Sequence, residues 1–542
     1  MKRELTHTPE GVRDLYGEAY RRQTEAEECI ARTLAEFHYE FIRTPALEYF
    51  DLFAGEIGTT SANDLFKYFD RGGETMVLRP DFTPSIARCA VKYFSESGEP
   101  LRLCYKGSVF NNKQSLQGKL KEETQMGAEL YNDGSVGADA EIIAMAIKSL
   151  LSAGLTGIKV CISHVDYFYG ICEKAGIGQE LADELFSCIS DKNKEKTEAV
   201  LSANDIAEPY RGELVRAADM VFSAEDVKTL ADTVSNERSR NALLRLLEIR
   251  EALKGYGLED YAVFDPGMLN RYQYYTGMVF RAYTYGIGEP VARGGRYDRL
   301  LEKIGHAAPA VGFMVVTDDI AAALSAVRKD TLTIALGKGR LAKEAMRLLN
   351  RCGISCPEME DKDTRKLIFT DEEAKISFFL AKGPDVPTYV EYGAADIGIV
   401  GADTILEEER RVLEVLDLGF GKCRMCVCGR PEATELLRHH EMIRVATKYP
   451  GIARDYFHRT KKQTVELIKL NGSVELGPIV GLSDVIVDIV ETGSTLRENG
   501  LTVLEEICPL SARMIVNPVS MQMQAERIRD LTDRIRTMLE NG

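Results

Sequence analysis

Features that would place a chain in a membrane, outside the cell or on nucleic acid are missing from this sequence of 542 residues. Its longest apolar stretches, such as Ile397–Val400 and Val485–Val490, are far shorter than the roughly 18 residues that span a bilayer. The first residues, MKRELTHTPEGVRD, include no apolar segment typical of a secretory signal. The net charge of −16 argues against a broad basic surface for duplex nucleic acid. We therefore expect a cytoplasmic protein without membrane or nucleic-acid partners.

The twelve cysteines lack the spacing of a metal site. Most lie in apolar segments, Cys161 and Cys352 among them, and without an export signal we expect buried free thiols rather than disulfides. One cluster, Cys423, Cys426 and Cys428, has no second pair at zinc-site spacing, and its residues alternate as in a strand. No protein metal site is predicted from these residues.

The hydrophobic pattern changes near residue 329, and we see neither an internal repeat nor a low-complexity linker there. Before this point, a long amphipathic helix over 16–38 is followed by short strand-like runs, and charged helical sequence over about 175–255 indicates an inserted helical module. An α+β domain with an antiparallel sheet is predicted for 1–329. After it, apolar strands that end in glycine or polar turns alternate with helices, which is typical of parallel α/β units. We predict a second, α/β domain over 330–542.

The segment Asp484–Gly500, DVIVDIVETGSTLRENG, is the sharpest functional signal. An apolar strand runs into a glycine turn rich in hydroxyl groups, and a helix-compatible stretch follows. Such a turn points backbone N–H groups and hydroxyls at one spot, which suits a phosphate. A simple helix cap explains the same residues about as well. The residues of the turn are Glu491, Thr492, Gly493, Ser494 and Thr495.

Two carboxylates favour the phosphate interpretation. Glu475 precedes this segment, and Asp488 lies inside its apolar strand, where an acid is costly to bury without a partner. The vicinal hydroxyls of a sugar are suitable partners, so a phosphate cradle beside two acids describes a ribose-5-phosphate site. A salt-bridged structural acid is the alternative.

The stretch from Glu475 to Leu496 resembles the signature of the ATP phosphoribosyltransferase family, the first enzymes of histidine biosynthesis. Further similar stretches are LTIALGKGRL from Leu332, DTRKL at 363–367, ADIGIVGAD at 395–403 and LGFGKCRM at 418–425. The resemblance covers about 331–542 and is to the short form of the family, which lacks a C-terminal histidine-sensing domain. The matching signature residues are Glu475, Gly481, Ser483, Ile486, Asp488, Thr492, Gly493, Thr495 and Leu496.

This resemblance implies that N1 of the ATP adenine displaces pyrophosphate at the anomeric carbon of phosphoribosyl pyrophosphate. Glu491–Thr495 would hold the 5-phosphate, and Glu475 and Asp488 the ribose hydroxyls. The resemblance also implies Mg²⁺, held mainly by substrate oxygens, and two lobes that close like a periplasmic binding protein. Candidates for the pyrophosphate and ATP phosphates are Lys338, Arg340, Arg365 and Lys366. Taken singly, each is better explained as a solvated surface charge, and the motif context favours the binding role.

The first half, over about 8–325, resembles histidyl-tRNA synthetase, a class II fold. The matching stretches are LRPDFTPSIAR (78–88), LCYKGSVFNNKQSLQGKLKEETQMGAEL (103–130), YQYYTGMVF (272–280) and the segment that begins GGRYDRLL at 294. Three arginines of the family are replaced: Asn111 follows Phe110, Asp319 occupies the position of the third-motif arginine, and Asn270 that of the arginine before the tyrosines. Arg271 is one position off. These losses argue against amino-acid activation.

The positions that would contact the amino acid in a synthetase pocket match the family more closely than those that would contact the nucleotide. The positions that match histidine-contacting residues of the synthetase are Asp81, Thr83, Gln125, Glu129, Tyr274 and Tyr275, with Asp81 in place of a glutamate. A relic pocket that only packs is the alternative. A synthetase-like subunit without its chemistry resembles the regulatory subunit of the short transferases, which activates them and transmits feedback inhibition by histidine. We therefore predict a histidine-regulated transferase fused to its regulatory domain, and a homo-oligomer, either a dimer or a tetramer. The rival functions are a non-catalytic ligand-binding protein and a tRNA-related synthetase paralogue.

Overall fold

The computed structural model describes residues 5–54, 60–113, 118–219, 222–269, 275–326, 330–360, 366–438 and 442–541. The chain forms two compact units. The first comprises Met1–Arg328 with Gln522–Ala525, and the second Lys329–Met521 with Glu526–Gly542. No helix among the described residues is long and apolar enough to cross a membrane.

A sheet of eight strands, in the order β1-β5-β6-β11-β10-β9-β7-β8, organises the first unit. Its pairs are antiparallel, as predicted, except that β1 runs parallel to β5 and β7 to β8. A separate antiparallel sheet has the order β2-β4-β3. The strands of this unit are β1 (Glu40–Phe41), β2 (Leu47–Tyr49), β3 (Lys67–Phe69), β4 (Thr75–Leu78), β5 (Leu101–Phe110), β6 (Glu122–Tyr131), β7 (Ile158–His164), β8 (Ala262–Phe264), β9 (Met278–Thr284), β10 (Ala292–Arg296) and β11 (Ala310–Val316).

Helices cover one face of the large sheet and form the main core with it. Ile30 and Leu34 of α1, spaced one turn apart, are buried against the same cluster as Met126 and Leu130 of β6. Six helices, α4 to α9, lie between β7 and β8 among the described residues. The helices of this unit are α1 (Gly17–Glu36), α2 (Thr83–Phe94), α3 (Val136–Ser152), α4 (Val165–Lys174), α5 (Gln179–Ser190), α6 (Lys194–Ala203), α7 (Tyr210–Ala217), α8 (Ala224–Thr233), α9 (Glu237–Lys254), α10 (Leu300–Ile304) and α11 (Thr317–Ser325).

The second unit contains two sheets with helices. One has the order β13-β14-β12-β15-β22-β16, and the other β19-β18-β20-β17-β21. Its strands are β12 (Leu332–Gly337), β13 (Ile368–Asp371), β14 (Ile376–Ala381), β15 (Ile397–Gly401), β16 (Leu413–Asp417), β17 (Cys423–Gly429), β18 (Ile443–Thr447), β19 (Val465–Lys469), β20 (Val485–Val490), β21 (Thr502–Leu510) and β22 (Ala512–Val516). Its helices are α12 (Arg340–Arg351), α13 (Val386–Glu391), α14 (Ala402–Glu408), α15 (Ala433–Arg438), α16 (Pro450–Asp455), α17 (Leu476–Ile479), α18 (Ser494–Glu498), α19 (Pro518–Met523) and α20 (Ala525–Glu540).

These sheets are mixed, which corrects the expectation of purely parallel units. The strands β12, β14 and β15 are parallel, as are β18, β19 and β20, but β22 and β17 run against their neighbours. The reason is topological, because the chain enters the second sheet along β17 and returns to the first along β21 and β22. The two crossings lie side by side: Leu418 N donates to Ala512 O at 2.9 Å, and Ala512 N to Phe420 O at 2.9 Å. The sheets of this unit are therefore joined by a pair of adjacent crossing segments.

Candidate functional site

The predicted phosphate loop follows β20 and leads into α18. Gly493 has φ of +68°, a left-handed conformation that residues with a Cβ rarely adopt. This turn places the hydroxyls of Thr492 and Ser494 3.1 Å apart, and Ser494 N donates to Thr492 Oγ1 at 3.4 Å. Both hydroxyl residues are exposed. The strand-turn-helix arrangement expected from the sequence is present, with polar groups gathered at one open position.

The two predicted ribose acids lie close enough to interact electrostatically. The pKa of Asp488 is raised to about 6, mainly by burial and in smaller part by the charge of Glu475. The Ile489 backbone N–H, which donates to Asp488 Oδ1 at 2.8 Å, and the charge of Lys448 oppose this rise. Asp488 is thus a half-buried acid without an ion pair of its own among the described contacts, as the sugar-hydroxyl interpretation requires.

An ion pair joins the two sheets of the second unit at this loop. Arg340, the first residue of α12, donates from Nη1 to Glu491 Oε1 at 3.2 Å and from Nη2 to Oε2 at 3.1 Å. Both side chains are more than half exposed, so solvent and salt weaken the pair. The pair adds little to stability. It matters because it places a predicted pyrophosphate-binding residue next to the predicted 5-phosphate loop.

For the other basic candidates, the structure gives no contact with the predicted 5-phosphate loop among the described residues. The Lys338 backbone N–H donates to Ala381 O at 2.8 Å, and its side chain is exposed in the same glycine turn as Arg340. Lys366 pairs with Glu358 at 2.6 Å, both exposed. Arg365 lies outside the described residues.

Two polar residues near the predicted acids were not among the sequence candidates. Asp403 follows β15 and Tyr449 follows β18, and the Tyr449 hydroxyl donates to Asp403 Oδ2 at 3.3 Å. Burial raises the pKa of Tyr449, and the negative charges of Asp403 and Asp488 add to the rise. Both residues lie just beyond strand carboxyl ends, where open α/β sheets bind ligands. That position was the available signal.

The first unit has a buried polar cluster around Glu129 of β6. Thr83 Oγ1 donates to Glu129 Oε1 at 2.7 Å, and the Tyr297 hydroxyl donates to Oε2. Burial raises the pKa of Glu129 to about 8, although both hydrogen bonds lower it. Gly312 opposite is required, since a Cβ there would lie 1.7 Å from Glu129 Oε2. The two hydrogen bonds fix the Glu129 carboxyl group in place, and the absence of a side chain at Gly312 leaves room for it.

The remaining predicted pocket residues gather around this carboxyl group. Asp81 accepts from Thr83 N at 2.7 Å, and burial raises its pKa to about 7. Gln125 is buried on the same strand as Glu129, and its Oε1 has no hydrogen-bond partner among the described residues. The charges of Glu129 and Asp81 both act on the buried Tyr275 hydroxyl. Tyr274 lies outside the described residues, as do Asn270 and Arg271.

Acids occupy the place where the sequence comparison with the synthetase expects nucleotide phosphates. Burial raises the pKa of Asp319 to about 7, and the charges of Glu123 and Glu289 contribute, while Arg293 opposes them. The Asn111 side chain donates to Pro80 O at 3.3 Å and offers no positive charge. A triphosphate would meet several carboxylates here, which disfavours nucleotide binding.

The geometry defines a class: a two-sheet α/β protein with a hydroxyl-rich strand-turn-helix loop beside two acids, in one chain with a class II synthetase-like domain that has acids where the synthetase comparison expects nucleotide phosphates. A family model described as histidyl-tRNA synthetase matches residues 11–320, and one described as ATP phosphoribosyltransferase matches residues 382–537. The chain belongs to the ATP phosphoribosyltransferase family, the enzymes of the first step of histidine biosynthesis, and carries an N-terminal domain of the histidyl-tRNA synthetase family.

Individual relatives agree with this assignment. Over 208 residues the chain is 69% identical to ATP phosphoribosyltransferase from Lachnoclostridium phytofermentans, covering 38% of this chain and 97% of that protein. It is 68% identical to the enzyme of Lachnospira eligens over 209 residues, covering 39% and 97%. The structure is also similar to an ATP phosphoribosyltransferase regulatory subunit/histidyl-tRNA synthetase from Bacillus halodurans, with a TM-score of 0.57 and 28% identity, covering 70% of this chain and all of that one.

Proposed function

We propose that the cleft of the second unit transfers the 5-phosphoribosyl group from phosphoribosyl pyrophosphate to N1 of ATP, with pyrophosphate as the other product. The Arg340–Glu491 contact carries this proposal, since it joins the glycine turn of one sheet to the phosphate loop of the other. Asp488 and Glu475 lie beside that loop on the second sheet. Closure of the two sheets about the crossing segments, in the manner of a periplasmic binding protein, is part of the proposal.

Each group has a role in the displacement. The backbone and hydroxyls of 491–495 hold the 5-phosphate. Glu475 and Asp488 accept hydrogen bonds from the ribose hydroxyls, and their charge favours the oxocarbenium-like sugar as the bond to pyrophosphate breaks. The reaction needs little proton transfer, so most of its acceleration comes from positioning and charge neutralisation.

Basic side chains take the leaving group. Arg340 exchanges Glu491 for pyrophosphate oxygens when substrate enters, and Lys338, Arg365 and Lys366 add positive charge for pyrophosphate and the ATP phosphates. The cleft offers carboxylate oxygens, the ligand type that Mg²⁺ prefers, and no three metal-ligating side chains converge within the described ranges. We therefore assign Mg²⁺ mainly to substrate oxygens, where it neutralises the charge of the pyrophosphate.

The first unit senses L-histidine. Asp81, Glu129 and Thr83 bind the imidazole and ammonium groups, and Gln125, Tyr274 and Tyr275 are further contacts; the buried carboxyl groups of Asp81 and Glu129 support this assignment. The carboxylates around Asp319 speak against tRNA charging. Histidine binding here inhibits the transferase, and the unit activates it otherwise. The fused chains act in the cytoplasm as a homo-oligomer, a dimer or a tetramer.

The test is formation of phosphoribosyl-ATP by the full chain from ATP, phosphoribosyl pyrophosphate and Mg²⁺, with and without millimolar L-histidine. We expect turnover that histidine suppresses. Glu129→Gln should keep turnover and lose inhibition, whereas Asp488→Asn should lose turnover. A folded chain without turnover would overturn the catalytic proposal, and turnover indifferent to histidine would overturn the regulatory one. ATP–pyrophosphate exchange dependent on histidine would instead reveal a synthetase.

A further inference from the structure

Two arginines share the sheet face on which Glu129 lies. Met278, Phe280 and Ala282 of β9 point into the main core, so the alternate residue Arg281 points to the opposite face. Arg293 of β10 is directly paired with Arg281 in the strand register. On β6, Met126, Ala128 and Leu130 are the core residues, which places Glu129 and Gln125 on the same face as the arginines.

The two arginines differ in what balances their charge. Arg293 pairs with Glu289 at 2.7 Å. Arg281 donates to Leu269 O at 3.4 Å and interacts with the Tyr283 hydroxyl, but no salt bridge to a carboxylate is found for it in the part of the chain that the structure describes. Like charges directly opposite each other on neighbouring strands are unfavourable. Among the described residues, Arg281 therefore has no carboxylate within salt-bridge distance, and Asp265, whose charge acts on the same Tyr283 hydroxyl, is paired with Lys192 instead.

The acids and this arginine lie on the same face of the sheet in neighbouring rows of the strand register. The register pairs Glu129 of β6 with Gly312 of β11, Gly312 with Gly295 of β10, and Gly295 with Val279 of β9. Both strands between β6 and β9 therefore have glycine in the Glu129 row, and Arg281 is the next residue of β9 on that face. The Tyr275 ring covers Gly295, where a Cβ would lie 2.6 Å from it. The charges of Glu129 and Asp81 raise the pKa of this tyrosine while those of Arg281 and Arg293 lower it, after burial as the main cause. Tyr275 is thus close enough to feel the charges of both the acids and the arginines.

We propose that Arg281 binds the α-carboxylate of a free α-amino acid in this pocket, with Glu129 and Asp81 taking its cationic groups at the other end. The inference rests on the proposed function, in which L-histidine binds here, and it names the group that recognises the carboxylate. The family's own arginine is replaced by Asn270, so the carboxylate otherwise lacks an assigned partner. A guanidinium suits a carboxylate because it donates two parallel hydrogen bonds. The pocket is expected to reject analogues in which the carboxylate is absent or reduced.

Titration calorimetry on the full chain tests this with L-histidine and L-histidinol, which share the imidazole and ammonium groups and differ at the carboxylate. We expect the parent chain to bind histidine at least tenfold more tightly than histidinol. Arg281→Met should weaken histidine binding at least tenfold and histidinol binding less than threefold, which removes the preference. Arg281→Lys should restore part of it. Arg21→Met, which removes an exposed arginine of α1, is the charge-matched control and should behave like the parent.

Three results would overturn the inference. One is unchanged histidine binding by Arg281→Met. The second is an equal loss for both compounds, which assigns Arg281 to the fold of the pocket, and thermal unfolding of the variant would show the accompanying loss of stability. The third is a parent chain that binds neither compound, and this alone also removes the proposed regulatory function. The first two outcomes leave that function standing.

Discussion

Two aspartates four residues apart, Asp484 and Asp488, have pKa values that are shifted in opposite directions. Asp484 accepts from Arg444 Nη2 at 2.9 Å and from Arg444 N at 2.8 Å, and the side-chain bond is the main reason that its pKa is lowered. Burial raises the pKa of Asp488 instead, to about 6. A carboxyl group whose ionised form is destabilised at neutral pH is a common sign of a functional site. Asp484, whose pKa is lowered, serves as the matched control for Asp488.

Asp488→Asn should lower kcat by at least about 100-fold and stabilise the fold at pH 8 by about 1 kcal/mol. The sign follows from linkage: a carboxyl group with a raised folded-state pKa disfavours the folded state as pH rises from about 4 through 6. The gain should therefore vanish near pH 4. Urea unfolding at pH 8 and pH 4.5, with steady-state assays, measures both effects.

Asp484→Asn should have the opposite effect on stability, because the pKa of Asp484 is lowered in the folded state. Its stabilising contribution is present above the unfolded-state pKa and is lost as pH falls through the folded-state value. This variant should lose stability at pH 8 and keep turnover. Stabilisation by Asp484→Asn, or destabilisation by Asp488→Asn at pH 8, would contradict the electrostatic account.

Glu129 should lose a proton when histidine binds. With a pKa of about 8, the Glu129 carboxyl group is mostly protonated at pH 7 before ligand binds. Asp81, with a pKa of about 7, is half protonated. A cationic ligand favours the ionised carboxylate, so binding should release about one proton at pH 7 and tighten as pH rises towards 8. Calorimetry in two buffers of different ionisation enthalpy measures the release. In Glu129→Gln the release should fall, and an unchanged release would assign it to another group.

At the scale of elements, the proposed phosphate loop depends on the left-handed backbone conformation of one glycine. Gly493 and Gly500 both have φ of +68° and stand at the two ends of α18. A Cβ at Gly493 would meet Arg497 Nη1 no closer than 3.4 Å, and one at Gly500 would meet nothing within 4 Å. The two glycines therefore share the conformational cost of a Cβ, about 1 kcal/mol, and differ in their distance from the loop.

Gly493→Ala should raise KM for phosphoribosyl pyrophosphate by about tenfold, because the loop must relax away from its left-handed turn and lose amide contacts to the 5-phosphate. Gly500→Ala should cost similar stability and leave KM within twofold of the parent. Thermal unfolding and initial-rate assays on both variants separate the effects. Equal KM values for the two variants would count against 491–495 as the phosphate site.

Local elements were predictable where one pattern decided them, and tertiary arrangement was not. The periodicity over 16–38 predicts a helix, and α1 spans Gly17–Glu36. The strand and turn at 485–495 were equally readable because apolar and hydroxyl residues separate cleanly. The antiparallel placement of β22 beside β15 was not, since these strands are more than a hundred residues apart. Asp403 and Tyr449 each follow a readable strand, but their contact with each other carries no local signal, and neither does the opposition of Arg281 and Arg293, because both pairs arise from strand register and packing.

At the scale of the whole molecule, the chain combines two units with separate hydrophobic cores. The cluster around α1, α3 and the eight-stranded sheet belongs to the first unit, and the clusters beneath β17, β18 and β20 belong to the second. Each unit contains one of the two proposed ligand sites. Ligand binding stabilises the unit that holds the site by RT ln(1 + [L]/Kd), about 2.7 kcal/mol at a hundredfold excess over Kd.

Differential scanning calorimetry of the full chain should therefore respond selectively to the two ligands. L-histidine should raise the transition of the first unit, and phosphoribosyl pyrophosphate with Mg²⁺ that of the second, each by roughly 5 °C at about 100 Kd. Glu129→Gln should remove only the first shift and Asp488→Asn only the second. Because inhibition requires coupling, and coupling is reciprocal, histidine should also weaken the shift produced by phosphoribosyl pyrophosphate. If the two shifts in transition temperature simply add, both ligand sites stand, but histidine does not act by weakening the binding of phosphoribosyl pyrophosphate. Any inhibition would then have to act on the chemical step.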